Sequence, residues 1–208
     1  MSDKFLIPNV PAESQRDNVY FPSSSCFNTE LSNCMQHCLN LIGKDKTAVG
    51  CQLSMQLEDY IYLATEDATT KAWIKANISK LGSWVLNYSP RTVYSIETYV
   101  FNRLMNPLGF KATFLESISY DKFCEKLEQT NLPMVIGGNF SSISAVSGHM
   151  LTAVGFNCVG MPEIIVNDSW GNGCTRYTDI KPAKEVAYSL RFFQVSGKNL
   201  NVVCIEKI

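Results

Sequence analysis

Cys26 to Ile42 reads CFNTELSNCMQHCLNLI, the best-defined helix in the sequence. It contains no Gly or Pro, and Phe27, Leu31, Cys34, Met35, Cys38, Leu39 and Ile42 fall at the spacing of one helix face. Gly43 supplies a C-terminal stop. Ser24 or Ser25 supplies an N-cap, since a hydroxyl can accept from the free amides of the first turn. Cys26 therefore stands at a helix N-terminus. A thiol is a poor nucleophile until it ionises, and the exposed amides and roughly half a positive charge of macrodipole favour the anion there. Cys34 and Cys38 lie further into the same helix and cannot use its terminus.

What flanks this helix sets the fold class. Residues Met1 to Ser25 read as irregular, with Pro8, Pro11, Pro22 and the run Ser23-Ser24-Ser25. Downstream, Leu53–Ala64, Ala68–Leu81 and Val93–Met105 have helical spacing. They are interrupted at Asn87-Tyr88-Ser89-Pro90 and closed at Asn106-Pro107 and Gly109. Their aromatics (Tyr60, Tyr62, Trp73, Trp84, Tyr94, Tyr99, Phe101) read as core. After Gly109 the pattern turns. Phe110–Glu116 alternates like a strand, and Tyr120–Thr130 is a short amphipathic helix. Pro133–Gly137, His149–Phe156, Glu163–Asn167, Ser189–Val195 and Asn201–Ile208 are short β-branched or aromatic runs. Helices followed by a mostly antiparallel sheet make the α+β pattern. No linker, repeat or low-complexity tract divides the 208 residues, so the reading is one domain, 1–208, with two lobes.

Composition narrows the function. Hydrophobic residues make up 46% and charged residues 18%, enough apolar material for a core. A net charge of −1 gives no basic field to hold phosphate backbones, so a nucleic-acid partner is not expected. No apolar run approaches the roughly 18–20 residues of a membrane helix, and Pro8 and Pro11 break the short run Phe5-Leu6-Ile7 before it can be a signal core. The expectation is a cytoplasmic protein with no membrane partner. In such a compartment the eight cysteines stay reduced and serve mostly as small core residues. Cys34, His37 and Cys38 lie close together, but no tight Cys-x-x-Cys pair accompanies them, and no metal site is expected. Only two histidines exist, His37 and His149, so the search for a base is short. His37 lies eleven residues after Cys26 on the same helix, roughly 16 Å of rise away, too far for a hydrogen bond.

Two further stretches carry candidate chemistry. In Ser147-Gly148-His149-Met150-Leu151-Thr152-Ala153-Val154-Gly155-Phe156, His149 opens an apolar strand directly after a glycine. The strand anchors its backbone while the ring reaches into a cleft. In Ile164-Ile165-Val166-Asn167-Asp168-Ser169-Trp170-Gly171, an apolar strand delivers Asn167 and Asp168 at its end, where a carboxylate or amide can orient an imidazole on the neighbouring strand.

Taken in this order, the residues resemble the papain-like cysteine peptidases: a Cys opening an early helix, then Gly-His on one strand and Asp or Asn on the next. Asp168-Ser169-Trp170-Gly171 is similar to that family's Asn-Ser-Trp-Gly. The bacteriocin-processing (C-39-like) peptidases are the branch it most resembles, through Gln15-Arg16-Asp17-Asn18, Cys26, Pro133-Met134-Val135-Ile136, Gly148-His149 and Asn167-Asp168. The likeness runs from about Pro8 to Gly173 and leaves a helical insert at about 44–90 unmatched. Two departures stand out. Phe27-Asn28 follow the cysteine where relatives often carry Gly-Pro, and Gln15 lies eleven residues before Cys26 where papain's helper glutamine lies six before, a position held here by Tyr20.

The resemblance implies a papain-like fold, with an N-terminal helical lobe and a C-terminal antiparallel sheet. It implies Cys26 as nucleophile, His149 as base and acid, Asp168 as orienting group, and Gln15 (with Asn18 as substitute) as oxyanion donor beside the Cys26 backbone amide. It calls for no cofactor. The implied substrate is a peptide, protein or peptidoglycan-type cross-link, and a solitary domain of this size suits a bacterial or phage effector. Acyl transfer on the same triad, as in a transpeptidase, is one alternative. A non-catalytic binding module on a retired fold is another, kept open by Phe27.

Overall fold

The computed structural model describes residues 2–78, 90–140, 148–179, 181–193 and 199–208. A mixed set of helices and one antiparallel sheet makes up the chain. β1 (Lys4–Leu6) leads to α1 (Cys26–Leu41), α2 (Leu57–Glu66), α3 (Ala68–Asn77) and α4 (Pro90–Met105). Then come β2 (Phe110–Ile118), α5 (Tyr120–Thr130), β3 (Met134–Gly138), β4 (His149–Asn157), β5 (Glu163–Asp168), β6 (Ala183–Ser189) and β7 (Leu200–Lys207). Among the described residues the strands run in the order β2-β7-β3-β4-β5-β6, each pair antiparallel. β1 pairs with Gly155–Asn157 of β4, continuing the edge that β3 leaves at Ala153. No described helix is long and apolar enough to cross a membrane.

The period-2 alternation of the strands builds two cores, one on each face of the sheet. Val135 of β3 and Val203 and Ile205 of β7 join Leu31, Met35, Ile61 and Phe101 from α1, α2 and α4. Their neighbours Met134, Ile136, Val202 and Cys204 join Phe123, Cys124 and Leu127 from α5. Helices therefore cover both faces, a closer arrangement than two lobes side by side. The described part of the 44–90 segment, residues 44–78, contributes to this core, since Leu57, Ile61, Ala64 and Ile74 pack into it. Cys34, Cys38, Cys51, Cys124 and Cys204 are buried thiols within the two clusters.

α1 ends where the sequence says it should. Gly43 takes φ 65°, and the amides of Gly43 and Lys44 donate back to Asn40 and Leu39, closing the helix with a left-handed residue. Its start differs from expectation. Ser25 occupies the N-cap position but makes no capping bond. Its hydroxyl instead accepts from Asn18 Nδ2 at 2.7 Å.

Other boundaries moved for visible reasons. α2 begins at Leu57, not Leu53, because Asp45 caps a short turn over Lys46–Val49 and the Lys46 ammonium donates to the Met55 carbonyl. Leu53, which the helical spacing counted as apolar, is 70% exposed. Of the strand expected over Ser189–Val195, residues 194–195 lie outside the described residues, and the strand found here lies earlier, at Ala183–Ser189. Leu190–Phe192 forms a tight turn instead, held by the Leu190 amide on the Pro162 carbonyl. The first 25 residues are less irregular than they read, since β1 and a turn at Gln15–Asp17 lie within them. The chain break at 87–89, Trp84 and the end of the Ala68–Leu81 helix fall outside the described residues.

Candidate active site

Distant stretches of chain meet at one cleft of about 650 Å³. The first turn of α1 brings Cys26 and Phe27, α4 brings Tyr94 and Ile96, and the end of β3 brings Gly137 and Gly138. The start of β4 brings Gly148, His149 and Met150, and the turn after β6 adds Phe192 and Phe193. Cys26 is partly exposed there, while His149 and Asp168 are buried.

Antiparallel pairing of β4 with β5 explains how the last two come together. Thr152 faces Asn167 across the ladder, so the residue that opens β4 and the residue that closes β5 lie at the same end of the sheet. His149 Nε2 is 2.7 Å from Asp168 Oδ1. The Cys26 thiol is the ring's other interacting partner. Burial alone would depress the imidazole. The hydrogen bonds to Asp168 and Cys26, with their charges, overcome that and hold it up to about 10. Gly148, which precedes the ring, has open space where a Cβ would stand. Ser147 lies outside the described residues.

Asp168 is itself fixed from several sides. Its Oδ1 accepts from the Trp170 backbone amide at 3.0 Å, and its Oδ2 accepts from the Tyr188 hydroxyl at 2.9 Å. Burial and the Asp168 carboxylate push the Tyr188 phenol well above its ordinary value, so it remains a donor. Neighbouring Asn167 turns away from the ring. Its amide donates to the Val10 and Pro11 carbonyls, and its oxygen accepts from the Glu185 amide.

Gln15 lies outside the cleft lining. Its Nε2 donates to the Pro22 carbonyl at 3.0 Å, and its Oε1 accepts from the Ser169 hydroxyl at 2.9 Å. It ties the loop before Cys26 to the turn after Asp168. Arg16 strengthens that tie with two bonds to the Trp170 carbonyl and its guanidinium 3.9 Å from the indole centroid. Asn18, the substitute, spends its amide on Ser25 Oγ and Thr29 Oγ1 at 2.7 and 2.9 Å. His37 is a buried ring near Asn9, its basicity lowered by burial.

Two carboxyls escaped the sequence reading. Glu30 is the one charged residue between Cys26 and Ile42, four positions after the cysteine, and it is wholly buried. A lone acid on the buried side of a nucleophile helix was the available signal. Glu97 of α4 is also fully buried, and among the described residues neither of its oxygens has a hydrogen-bond partner. Burial first, and then the nearby Cys26 and Glu30, raise it well above the carboxylate range.

No family model and no curated protein matches the chain. Among solved structures it is similar to the crystal structure of UfSP from C. elegans, with 15% identity and a TM-score of 0.34. The match covers 64% of this chain and 24% of that one, so the chain spans about a quarter of its length.

Proposed function

We propose that the chain is a papain-like cysteine hydrolase, of the bacteriocin-processing type its motifs resemble, that cleaves a peptide, isopeptide or amide bond in a polypeptide. The observation that carries this reading is His149, bonded to the buried Asp168 carboxylate and interacting with the Cys26 thiol, at a cleft that Cys26 and His149 both line. The walls favour a polypeptide substrate. Phe27, Ile96, Met150, Phe192 and Phe193 offer apolar contact.

The proposed chemistry follows from the positions. The Cys26 proton passes to His149, and the sulfur attacks the carbonyl carbon. The carbonyl oxygen gains charge beside the Cys26 backbone amide at the helix N-terminus, a donor worth about 10²–10³ in rate. His149 returns the proton to the departing amine as the C–N bond breaks, leaving a thioester. Water then attacks, His149 takes its proton, and the acid leaves as sulfur recovers the proton. Asp168 holds the ring in one tautomer throughout and stabilises the imidazolium. Gln15 and Asn18 act on this scheme as positioning residues that hold the loop in front of the nucleophile.

Alkylation at mildly acidic pH with peptide mapping tests the reading. Cys26 is expected to react before Cys174, although Cys174 is more exposed, because burial and nearby carboxylates push the Cys174 thiol up. A Cys26 that labels no faster than Cys174 overturns the assignment.

A further inference from the structure

Glu30 touches each element that supplies a member of the candidate triad. It sits one turn after Cys26 on α1. Its Oε2 accepts from Thr152 Oγ1 of β4 at 2.5 Å and from Asn33 Nδ2 at 3.2 Å, and its Oε1 accepts from the Ser169 backbone amide, next to Asp168, at 3.1 Å. An ordinary helix-to-sheet contact needs only apolar packing, and a buried charge is costly unless well paired. Here one carboxyl joins the helix of the thiol to the strand of the imidazole and to the turn after the carboxylate.

We propose that Glu30 is a positioning residue for the Cys26–His149 pair, a second buried carboxylate that holds the three elements in register and supports the imidazolium from below. The inference rests on the catalytic reading of that site. Two amide donors and the Thr152 hydroxyl surround the carboxyl, which suits its ionised form. The Thr152 hydroxyl also lies 3.3 Å from the Glu30 backbone carbonyl. It can therefore donate to the carboxylate, or accept from the neutral acid while donating to that carbonyl. Both protonation states are bonded, so the residue can change charge without coming apart. Facing it are His149 from β4, Asp168 from β5, Glu97 from α4 and Cys34 from its own helix. Burial raises Glu30 to about 7 against the bonds from Ser169 and Thr152, so its charge changes within the range where an enzyme works.

The chain's two histidines make the test direct, since their ring signals titrate separately by NMR and His37 serves as the internal control. Glu30→Gln removes the charge and keeps the size. Thr152→Val withdraws the donor that favours the carboxylate, so the Glu30 proton stays on, and this variant covers the case in which Glu30→Gln does not fold. Each is expected to lower the His149 midpoint by about one unit, a tenfold loss of proton affinity, with His37 unmoved. A folded variant of either kind whose His149 midpoint stays within about 0.3 units of the parent, a twofold change, overturns the inference. Alkylation of the unaltered protein separates the two failures. If the midpoint shifts yet Cys26 reacts no faster than Cys174, the linkage is real and the catalytic reading, with Glu30's role in it, is what falls.

Discussion

Asn167 and Asp168 are adjacent, equally buried and both polar, yet the structure gives them opposite tasks. Asp168 faces the imidazole, and Asn167 binds the N-terminal segment. Asp168→Ala should strip His149 of its largest support, so that burial dominates and the ring falls to neutral near pH 7. Turnover should drop by about 10³–10⁴, the scale of losing the orienting acid of a triad. Asn167→Ala should instead cost about 1–3 kcal/mol of stability from lost buried hydrogen bonds, with kcat nearly unchanged. Urea melts and turnover on the two variants check both statements, and a reversed pattern would move the orienting role to Asn167. Residue types alone did not separate this pair, and only the resemblance pointed to Asp168, because alternation along a strand depends on where the bulges fall. The β5–β6 register slips between Val166 and Asp168, which a pattern of residue types does not reveal.

At the scale of elements, glycines show where backbone approach is tight. A Cβ on Gly155 would lie 2.4 Å from the Phe5 carbonyl oxygen, where β1 closes on β4. Gly155→Ala should therefore loosen β1 and cost about 1–3 kcal/mol, as overpacking does. Gly148→Ala, with nothing within 4 Å, should stay within about 0.5 kcal/mol of the parent. Thermal melts of the two proteins test the contrast, and equal losses would mean β1 is not seated as described. The same elements show what was legible beforehand. α1, α5 and the strands at β2, β3, β4, β5 and β7 follow local periodicity, which the chain writes residue by residue. β1 was missed because its three residues gain order only by pairing with β4, about 150 positions away. The Phe192-Phe193 run looked like a strand because it is apolar and aromatic. It packs as a cluster with Phe140 and Tyr188 instead. The place of the Gln15 side chain was not legible for a related reason. Its residue type suits an oxyanion donor, but side-chain direction is set by contacts to Pro22 and Ser169 that no spacing rule encodes.

Across the whole molecule, the buried titratable groups make stability a function of pH with a definite sign. Burial lifts Glu30 to about 7, and lifts Glu58 to about 7 with help from the charges of Glu13, Asp17 and Asp59. Burial also holds Glu97 well above the carboxylate range. Each keeps its proton in the folded chain at a pH where the unfolded chain has released it. Their contribution is complete below about 4.5 and is lost as pH rises through the folded values. His149 acts in the same direction at higher pH. Held up to about 10 against 6.5 when unfolded, it contributes below 6.5 and loses that contribution on the way to 10. His37 opposes them on the acid side, since its buried ring is favoured neutral and must charge as pH falls. Paired carboxylates such as Asp67, lowered by Arg103 and Thr70, lose their bonds there too. The stability maximum should therefore lie near pH 5, below the neutral range, with each proton that the folded chain keeps and the unfolded chain has released costing up to about 1.4 kcal/mol per pH unit above it. For a chain of this size, several kcal/mol between pH 5 and 9 means a fall in Tm on the order of 10 °C. Melts at constant ionic strength measure this. Glu58→Gln, remote from the cleft, should flatten the segment from pH 5 to 7 and leave the segment above it unchanged. A Tm that holds level or climbs from pH 5 to 9 would mean that these acids reach solvent, and that the helices carrying them do not close over the sheet.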